Sequence, residues 1–195
     1  LKVLRNVLAN TPKTRTSDAS LTPAAVLLLL YPKDGHCRVL LNKRSELVEE
    51  HKGEIALPGG RRDSEDRNML DTALRETHEE MGVDPAHVEV LGALDDVVTL
   101  SDYVISTFVG TIPAPYPFSP NEEVAEVIEA PVDWLLNPNS CRDDVWLDGS
   151  RPVRRPAFGY AGHLIYGATG QILCQFLDAM STAGEKESAW GNEQT

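Results

Sequence analysis

Arg75-Glu76-Thr77-His78-Glu79-Glu80-Met81-Gly82, preceded at a distance by Pro58-Gly59-Gly60, decides the reading of this chain. Leu70, Ala73, Leu74, Thr77 and Met81 recur at helical spacing, which predicts a helix over 68–81 with those residues on one face. Gly82 then ends it as a C-terminal glycine. At 3.6 residues per turn, Glu76, Glu79 and Glu80 fall within about 100° of arc beside the apolar face. Their carboxylates belong at the margin of the packed interface, where a cleft can form. The ordinary fate of three such glutamates is a solvated acidic face. Here, though, like charges at i, i+3 and i, i+4 repel by about a few tenths of a kcal/mol per pair. Arg75 is the cation that reaches Glu79, in the less favourable basic-first order. Three carboxylates with one internal cation suit a hard divalent ion. Gly59 and Gly60 permit a tight turn that carries a carbonyl to a metal, or bare N–H groups to a phosphate.

Working outward, Ala24–Tyr31 is a continuous apolar run of strand length, read as a strand buried on both faces. Pro32-Lys33-Asp34-Gly35 signals a turn into a second strand at Cys37–Asn42. Glu54–Leu57 reads as a short strand stopped by Pro58-Gly59-Gly60. Val88–Leu91, Tyr103–Thr111 and Val124–Ile128 read as strands, Pro113–Pro120 as a loop, and Val132–Leu136 as a helical turn. Trp146 and Leu147 lead to a hairpin signal at Asp148-Gly149. Leu1, Leu4 and Leu8 line one face of a short N-terminal helix, and Asn10–Ser20 is a polar loop. A last helix is expected over Gly170–Met180, followed by a polar, frayed segment at 181–195. Short strands mixed with two substantial helices indicate one α/β or α+β domain. The expected division is an N-terminal extension at 1–20, the domain at 21–180 and a tail at 181–195.

The chain has 195 residues, with 18 basic against 30 acidic side chains and a formal net charge of -12. That balance argues against a nucleic-acid grip or an anionic membrane surface as the partner. An anionic small molecule then requires local cations. Lys43, Arg44, Lys52, Arg61 and Arg62 bracket the glycine loop, and some of them are expected to read substrate phosphates. His51 is a further candidate, though a loop histidine is commonly a turn residue. Cys37, Cys141 and Cys174 lack CxxC spacing, which fits reduced thiols in the cytoplasm rather than a disulfide scaffold or thiolate zinc site.

Gly60 to Val83 resembles the Nudix box, G-x5-E-x7-R-E-U-x-E-E-x-G-U with U apolar. Arg75, Glu76, Glu79, Glu80, Gly82 and Val83 match. Asp66 stands where Glu is usual, one extra residue separates it from Arg75, and Thr77 replaces an apolar residue. Leu40-Leu41-Asn42-Lys43-Arg44-Ser45 and His51 through Asp63 are similar to the signature of the coenzyme A pyrophosphatase branch. So are Asn121-Glu122-Glu123-Val124, Pro131 through Leu136 and Ile165 through Thr169.

The resemblance implies a mixed β-sheet between helices (α/β/α) in a single domain. It also implies metal-dependent hydrolysis, with Mg2+ or Mn2+, of the pyrophosphate of coenzyme A or its thioesters. Glu76 and Glu80 are then the first metal ligands, Glu79 the next, and the Gly60 carbonyl completes the set. Arg75 orients the glutamates. The general base is Glu79, or Glu122 or Glu123 on the proline-rich loop; Asp95, Thr99 and Ser101 are candidates for the cleft wall. Alternatives are a Nudix enzyme for another nucleoside diphosphate such as ADP-ribose, and a non-catalytic nucleotide-binding module of the same fold. Association into a homodimer is left open.

Overall fold

The apolar run at 24–31 is the axis of the molecule. In a computed structural model describing residues 2–48, 51–148 and 151–191, the chain runs α1 (Lys2–Asn10), β1 (Thr22–Lys33), β2 (His36–Arg44), β3 (Ile55–Ala56), β4 (Gly59–Arg61) and α2 (Met69–Met81). Then follow β5 (Glu89–Ala93), β6 (Val97–Val98), β7 (Tyr103–Thr111), β8 (Val124–Pro131), α3 (Val132–Leu135), β9 (Cys141–Asp148), β10 (Arg151–Tyr160), β11 (His163–Ile165) and α4 (Gly167–Gly191). Alternate residues of β1 face two separate cores. Leu28 and Leu30 point to one, and Ala25, Leu27, Leu29 and Tyr31 to the other. Helix α2 closes the second core with Ala73 and Met81. Helices α1 and α4 close the first with Leu4, Val7, Leu8, Ile172, Leu173 and Phe176. The result is a helix–sheet–helix layering, as expected.

Both edges of β1 are paired, which its burial demands, since an unbonded buried backbone is costly. On one side β7 runs parallel to it from Thr22↔Tyr103 to Leu30↔Thr111. On the other, β2 pairs antiparallel with its end and β4 antiparallel with its start. The β1–β2 turn has Asp34 and Gly35 both at positive φ, the conformation a two-residue hairpin requires. Strand β8 adds to the far edge of β2, and β5 and β6 to β7. A second antiparallel sheet, β11-β10-β9, packs beside the first.

Several expectations need correction. The short strand does stop before Pro58-Gly59-Gly60, at Ala56, but the glycines form a strand of their own that the sequence reading does not predict: Gly59 and Gly60 open β4 and pair with Val26 and Ala25. They do so because a bare Cα lets the loop close on β1. Of the predicted helix face, Ala73, Thr77 and Met81 are buried, while Leu70 and Leu74 are half-buried. The last helix begins at Gly167 and extends to Gly191, beyond the frayed start expected at 181. Ala183 is buried and continues the apolar stripe of Ala179 and Met180. The expected N-terminal helix spans Lys2–Asn10 and buries Leu4, Val7 and Leu8. Leu1, Gly149 and residues 192–195 lie outside the described residues. Strands β9 and β10, which flank the expected turn at Asp148-Gly149, do pair antiparallel.

Candidate functional site

Helix α2 is held at both ends. The Asn68 Oδ1 accepts the Leu70 and Asp71 amides at 2.9 and 3.0 Å. Gly82 takes the left-handed conformation, φ 68°, and donates to the His78 carbonyl. Thr77, which stands where an apolar residue was expected, donates its hydroxyl to the Ala73 carbonyl at 2.6 Å and so is buried at no polar cost. With the helix fixed, the three glutamates fall at graded depths: Glu80 is 3% exposed, Glu76 half-buried and Glu79 exposed.

Glu80 lies deeper than the interface margin expected for it. Its Oε2 accepts from the Gly59 amide and from Asn42 Nδ2, each at 3.1 Å. Its Oε1 lies 3.7 Å from Arg44 Nη1. Burial pushes the Glu80 carboxyl up to about 7, opposed by the Gly59 N–H and Arg44 and reinforced by the charges of Glu76 and Glu123. Burial also raises Glu76, against the pull of Arg75. Glycine at position 60 is a steric requirement of the same cluster. A Cβ there would lie 2.5 Å from the Glu76 Cδ and 2.6 and 2.8 Å from its oxygens.

Arg75 knits the cluster together. Its Nε and Nη2 donate to the two oxygens of Asp66, each at 3.0 Å. Its Nη1 donates to Glu76 at 2.8 Å and Glu79 at 3.2 Å, and Nη2 also reaches the Arg61 carbonyl at 3.1 Å. The fork geometry is one that lysine cannot reproduce. Asp66 is buried and also accepts the Asp63 amide at 2.9 Å. The Arg75 hydrogen bonds hold its carboxyl well below the usual carboxylate range, despite the opposing effect of burial. A depressed carboxylate contributes stability above its unfolded pKa, and that contribution is lost as pH falls through the folded value. Asp66→Asn is therefore expected to destabilise the protein at pH 7 by about 1–3 kcal/mol, an amount typical of a broken charged hydrogen bond. In urea unfolding the gap to wild type should narrow progressively as pH falls below about 4 toward the folded value; a gap that does not change with pH overturns the assignment.

On the opposite face of the sheet from α2 lies a cleft of about 660 Å³. Gly60, Arg44, Arg61 and His51 line it, so the cluster and the cleft meet at the glycine loop. Val26, Ile55, Leu57, Ile105 and Ile172 make its floor and sides apolar. Arg155 and the segment Tyr166–Thr169, which opens α4, form another wall. The Tyr166 hydroxyl bonds Glu54, and His51 Nδ1 lies 3.1 Å from Glu54 Oε2. The Arg61 guanidinium sits 5.2 Å from the centre of the Tyr103 ring.

Of the sequence candidates, Lys52 and Arg62 are not among the cleft-lining residues. Arg62 instead donates to the Asp66 carbonyl at 3.0 Å and braces the loop. Thr99 and Ser101 line the cleft, whereas Asp95 accepts the Thr14 amide at 2.8 Å elsewhere. Glu123 is exposed, and its charge acts on both Glu76 and Glu80. Asn42 and Tyr166 fall in stretches that resemble the coenzyme A pyrophosphatase signature, but the sequence reading assigns no role to them, nor to Tyr103; Arg155 lies outside every stretch that carries a signal.

The three carboxylates of α2 are oxygen donors of the kind a hard divalent cation takes. Among the described residues no three acidic, His or Cys side chains already converge on one point, because Arg75 holds Glu76 and Glu79 to itself. The Arg75–Glu79 pair is exposed and weak enough to exchange. The close approach of Gly60 to Glu76 and the Asn42 Nδ2 bond to Glu80 bring β4 and β2 against the same helix face.

Comparison with known proteins agrees with this geometry. The NUDIX domain model matches residues 21–145. The chain is 33% identical over 169 residues to the uncharacterized Nudix hydrolase NudL of Photorhabdus laumondii, covering 84% of this chain and 87% of that one. It is 44% identical over 96 residues to the NudL of Pectobacterium atrosepticum, a match that spans 50% of that relative. Among solved structures it resembles the Nudix hydrolase RenU from M. smegmatis, with a TM-score of 0.50, 29% identity, and 58% of this chain and 72% of that one covered. A C. elegans Ap4A hydrolase shares the fold at a TM-score of 0.50 and 16% identity, covering 56% of this chain and 80% of that one. The matched family model and the fold neighbours together assign this helix–sheet–helix domain to the Nudix fold. The chain belongs to the Nudix family and is a Nudix pyrophosphohydrolase. Nudix hydrolases use divalent metal ions. No helix among the described residues is long and apolar enough to cross a membrane.

Proposed function

We propose that the chain hydrolyses the pyrophosphate of coenzyme A or its thioesters to 3′,5′-ADP and the (acyl-)4′-phosphopantetheine. The observation that carries this reading is the cleft: apolar on its floor, cationic at its rim, and joined to the carboxylate cluster at Gly60. Its volume is that of a small-molecule site, commonly about 300–1,000 Å³. Arg44, Arg61 and His51 stand where the phosphates of an anionic substrate would enter. The apolar interior suits the pantetheine arm. The similarity of residues 40–45 and 51–63 to the coenzyme A pyrophosphatase signature supports the same choice.

Glu76, Glu79, Glu80 and the Gly60 carbonyl would hold the cation. Mg2+ or Mn2+, when bound, neutralises phosphate charge and makes water a better nucleophile. Arg75 keeps the glutamates in position. Glu123 or Glu79 takes the proton from the attacking water, whose oxygen bonds phosphorus as the bridging P–O bond breaks and its electron pair leaves with the other phosphate. The compartment proposed is the cytoplasm, and a homodimer is the assembly to be checked by light scattering.

The test is a panel of coenzyme A, 3′-dephospho-coenzyme A, ADP-ribose and dinucleotides with Mg2+ or Mn2+, run in ¹⁸O-labelled water. Coenzyme A is expected to show the highest kcat/KM, with label in one of the two phosphate products. Removal of the 3′-phosphate should lower kcat/KM by about tenfold, the equivalent of one lost charged contact. A preference for ADP-ribose would overturn the substrate and leave the hydrolase intact. Binding without turnover of any member would point to a nucleotide-binding module.

A further inference from the structure

We infer that Asn42 is a positioning residue of the carboxylate site, selecting which oxygen of Glu80 faces the cation. The inference rests on the reading of α2 as the metal-holding helix, and not on the identity of the substrate. Asn42 is 1% exposed, near the end of β2, on the same side of the strand as Leu40, which packs in the core beneath α2. A polar side chain at such a place costs free energy unless its groups are bonded. One side of its amide is bonded: Nδ2 donates to Glu80 Oε2 at 3.1 Å. The other is not, for Oδ1 is buried with no hydrogen-bond partner. The bond from its N–H to Glu80 is thus the contact that sets Asn42 apart from an apolar residue at this position.

What it does follows from the other bond to the same carboxylate. The Gly59 amide also donates to Oε2, so both protein donors converge on one oxygen. Glu80 is thereby locked in rotation. Oε1 is left as the oxygen without those donors, 3.7 Å from Arg44 Nη1. Two donors from two different strands, β2 and β4, fix a carboxylate that the helix alone would leave free to turn. Groups that hold a metal ligand from behind in this way typically contribute roughly 10–100-fold to metal affinity.

The test uses Mn2+ alone, without substrate. Asn42→Leu preserves bulk and removes the donor. Calorimetric Mn2+ affinity of the folded variant is expected to fall at least tenfold, whether or not the loss of the Glu80 hydrogen bond also lowers the thermal midpoint of the metal-free protein. A purely structural Asn42 would lower the midpoint with affinity within twofold of wild type, and affinity within twofold overturns the inference. Should the leucine variant not fold, the wild-type protein answers by NMR. The Asn42 side-chain NH₂ resonances should shift during a Mg2+ titration, with a midpoint equal to the calorimetric Mg2+ Kd. No shift at saturating Mg2+ would overturn the inference as well. Neither readout depends on coenzyme A, so failure of the substrate proposal leaves this result interpretable.

Discussion

Glu80→Gln is expected to abolish metal binding and lower turnover on the order of 10³-fold, while stabilising the metal-free protein at pH 8. The two effects share one cause. Burial lifts the Glu80 carboxyl from 4.5 to about 7, so the folded protein prefers it protonated. The stability this provides is fully present below the unfolded pKa and is lost as pH rises through the folded one. Above pH 7 the metal-free protein carries a buried charge at a cost on the order of 3 kcal/mol, at about 1.4 kcal/mol per pKa unit. Glutamine keeps the shape and accepts the Gly59 bond without that charge. Urea unfolding of metal-free protein should show the variant more stable at pH 8 and level with wild type at pH 5. Mg2+ should raise the midpoint of wild type alone. A variant that still binds Mg2+ and turns over, or that is less stable at pH 8, would refute the placement of Glu80 at the centre of the site.

The adjacent glycines should fail in different ways. A Cβ on Gly59 would lie 2.2 Å from the Ala25 carbonyl oxygen and 2.6 Å from the Val26 Cα, both backbone of β1, at a φ of 151°. Neither can yield without unzipping β4 from β1. Gly59→Ala is expected to cost about 4 kcal/mol or more, the range of severe core disruptions. A Cβ on Gly60 meets chiefly the Glu76 carboxylate, the movable end of a side chain. Gly60→Ala should fold close to normally and push Glu76 off its position, lowering kcat about 100-fold, as ångström-scale misplacements do. Urea midpoints and steady-state kinetics separate the two. Equal destabilisation by both substitutions, or full turnover in Gly60→Ala, would contradict this account.

Much of this arrangement was legible in the sequence. The uninterrupted apolar run at 24–31 announced a strand with two buried faces, and Asn68 and Gly82 bounded α2 to within a residue. The carboxylate stripe, Arg75 and Gly60 were visible because short-range spacing on one helix and one loop defines them. Other features were hidden for physical reasons. Glu80 lies deeper than its helical phase suggested because Asn42 and the Gly59 amide, distant in sequence, provide donors that let a carboxylate be buried. Strand β4 was missed because glycine is a poor strand former by propensity, yet here closeness to β1 demands it. The second sheet was nearly silent: β10 opens with Arg151-Pro152-Val153-Arg154-Arg155-Pro156, whose three arginines and two prolines hide any apolar–polar alternation. The cleft draws its walls from segments that meet only after folding.

Those walls have a consequence for inheritance. The portion shared with the family model ends at residue 145, and it contains the glycine loop, α2 and the carboxylates. Arg155, Tyr166, Thr169 and Ile172, which complete the cleft, lie after it. Inherited changes confined to the later stretch would therefore reshape part of the cleft wall and leave the carboxylate-bearing helix, Arg44, His51 and Arg61 untouched.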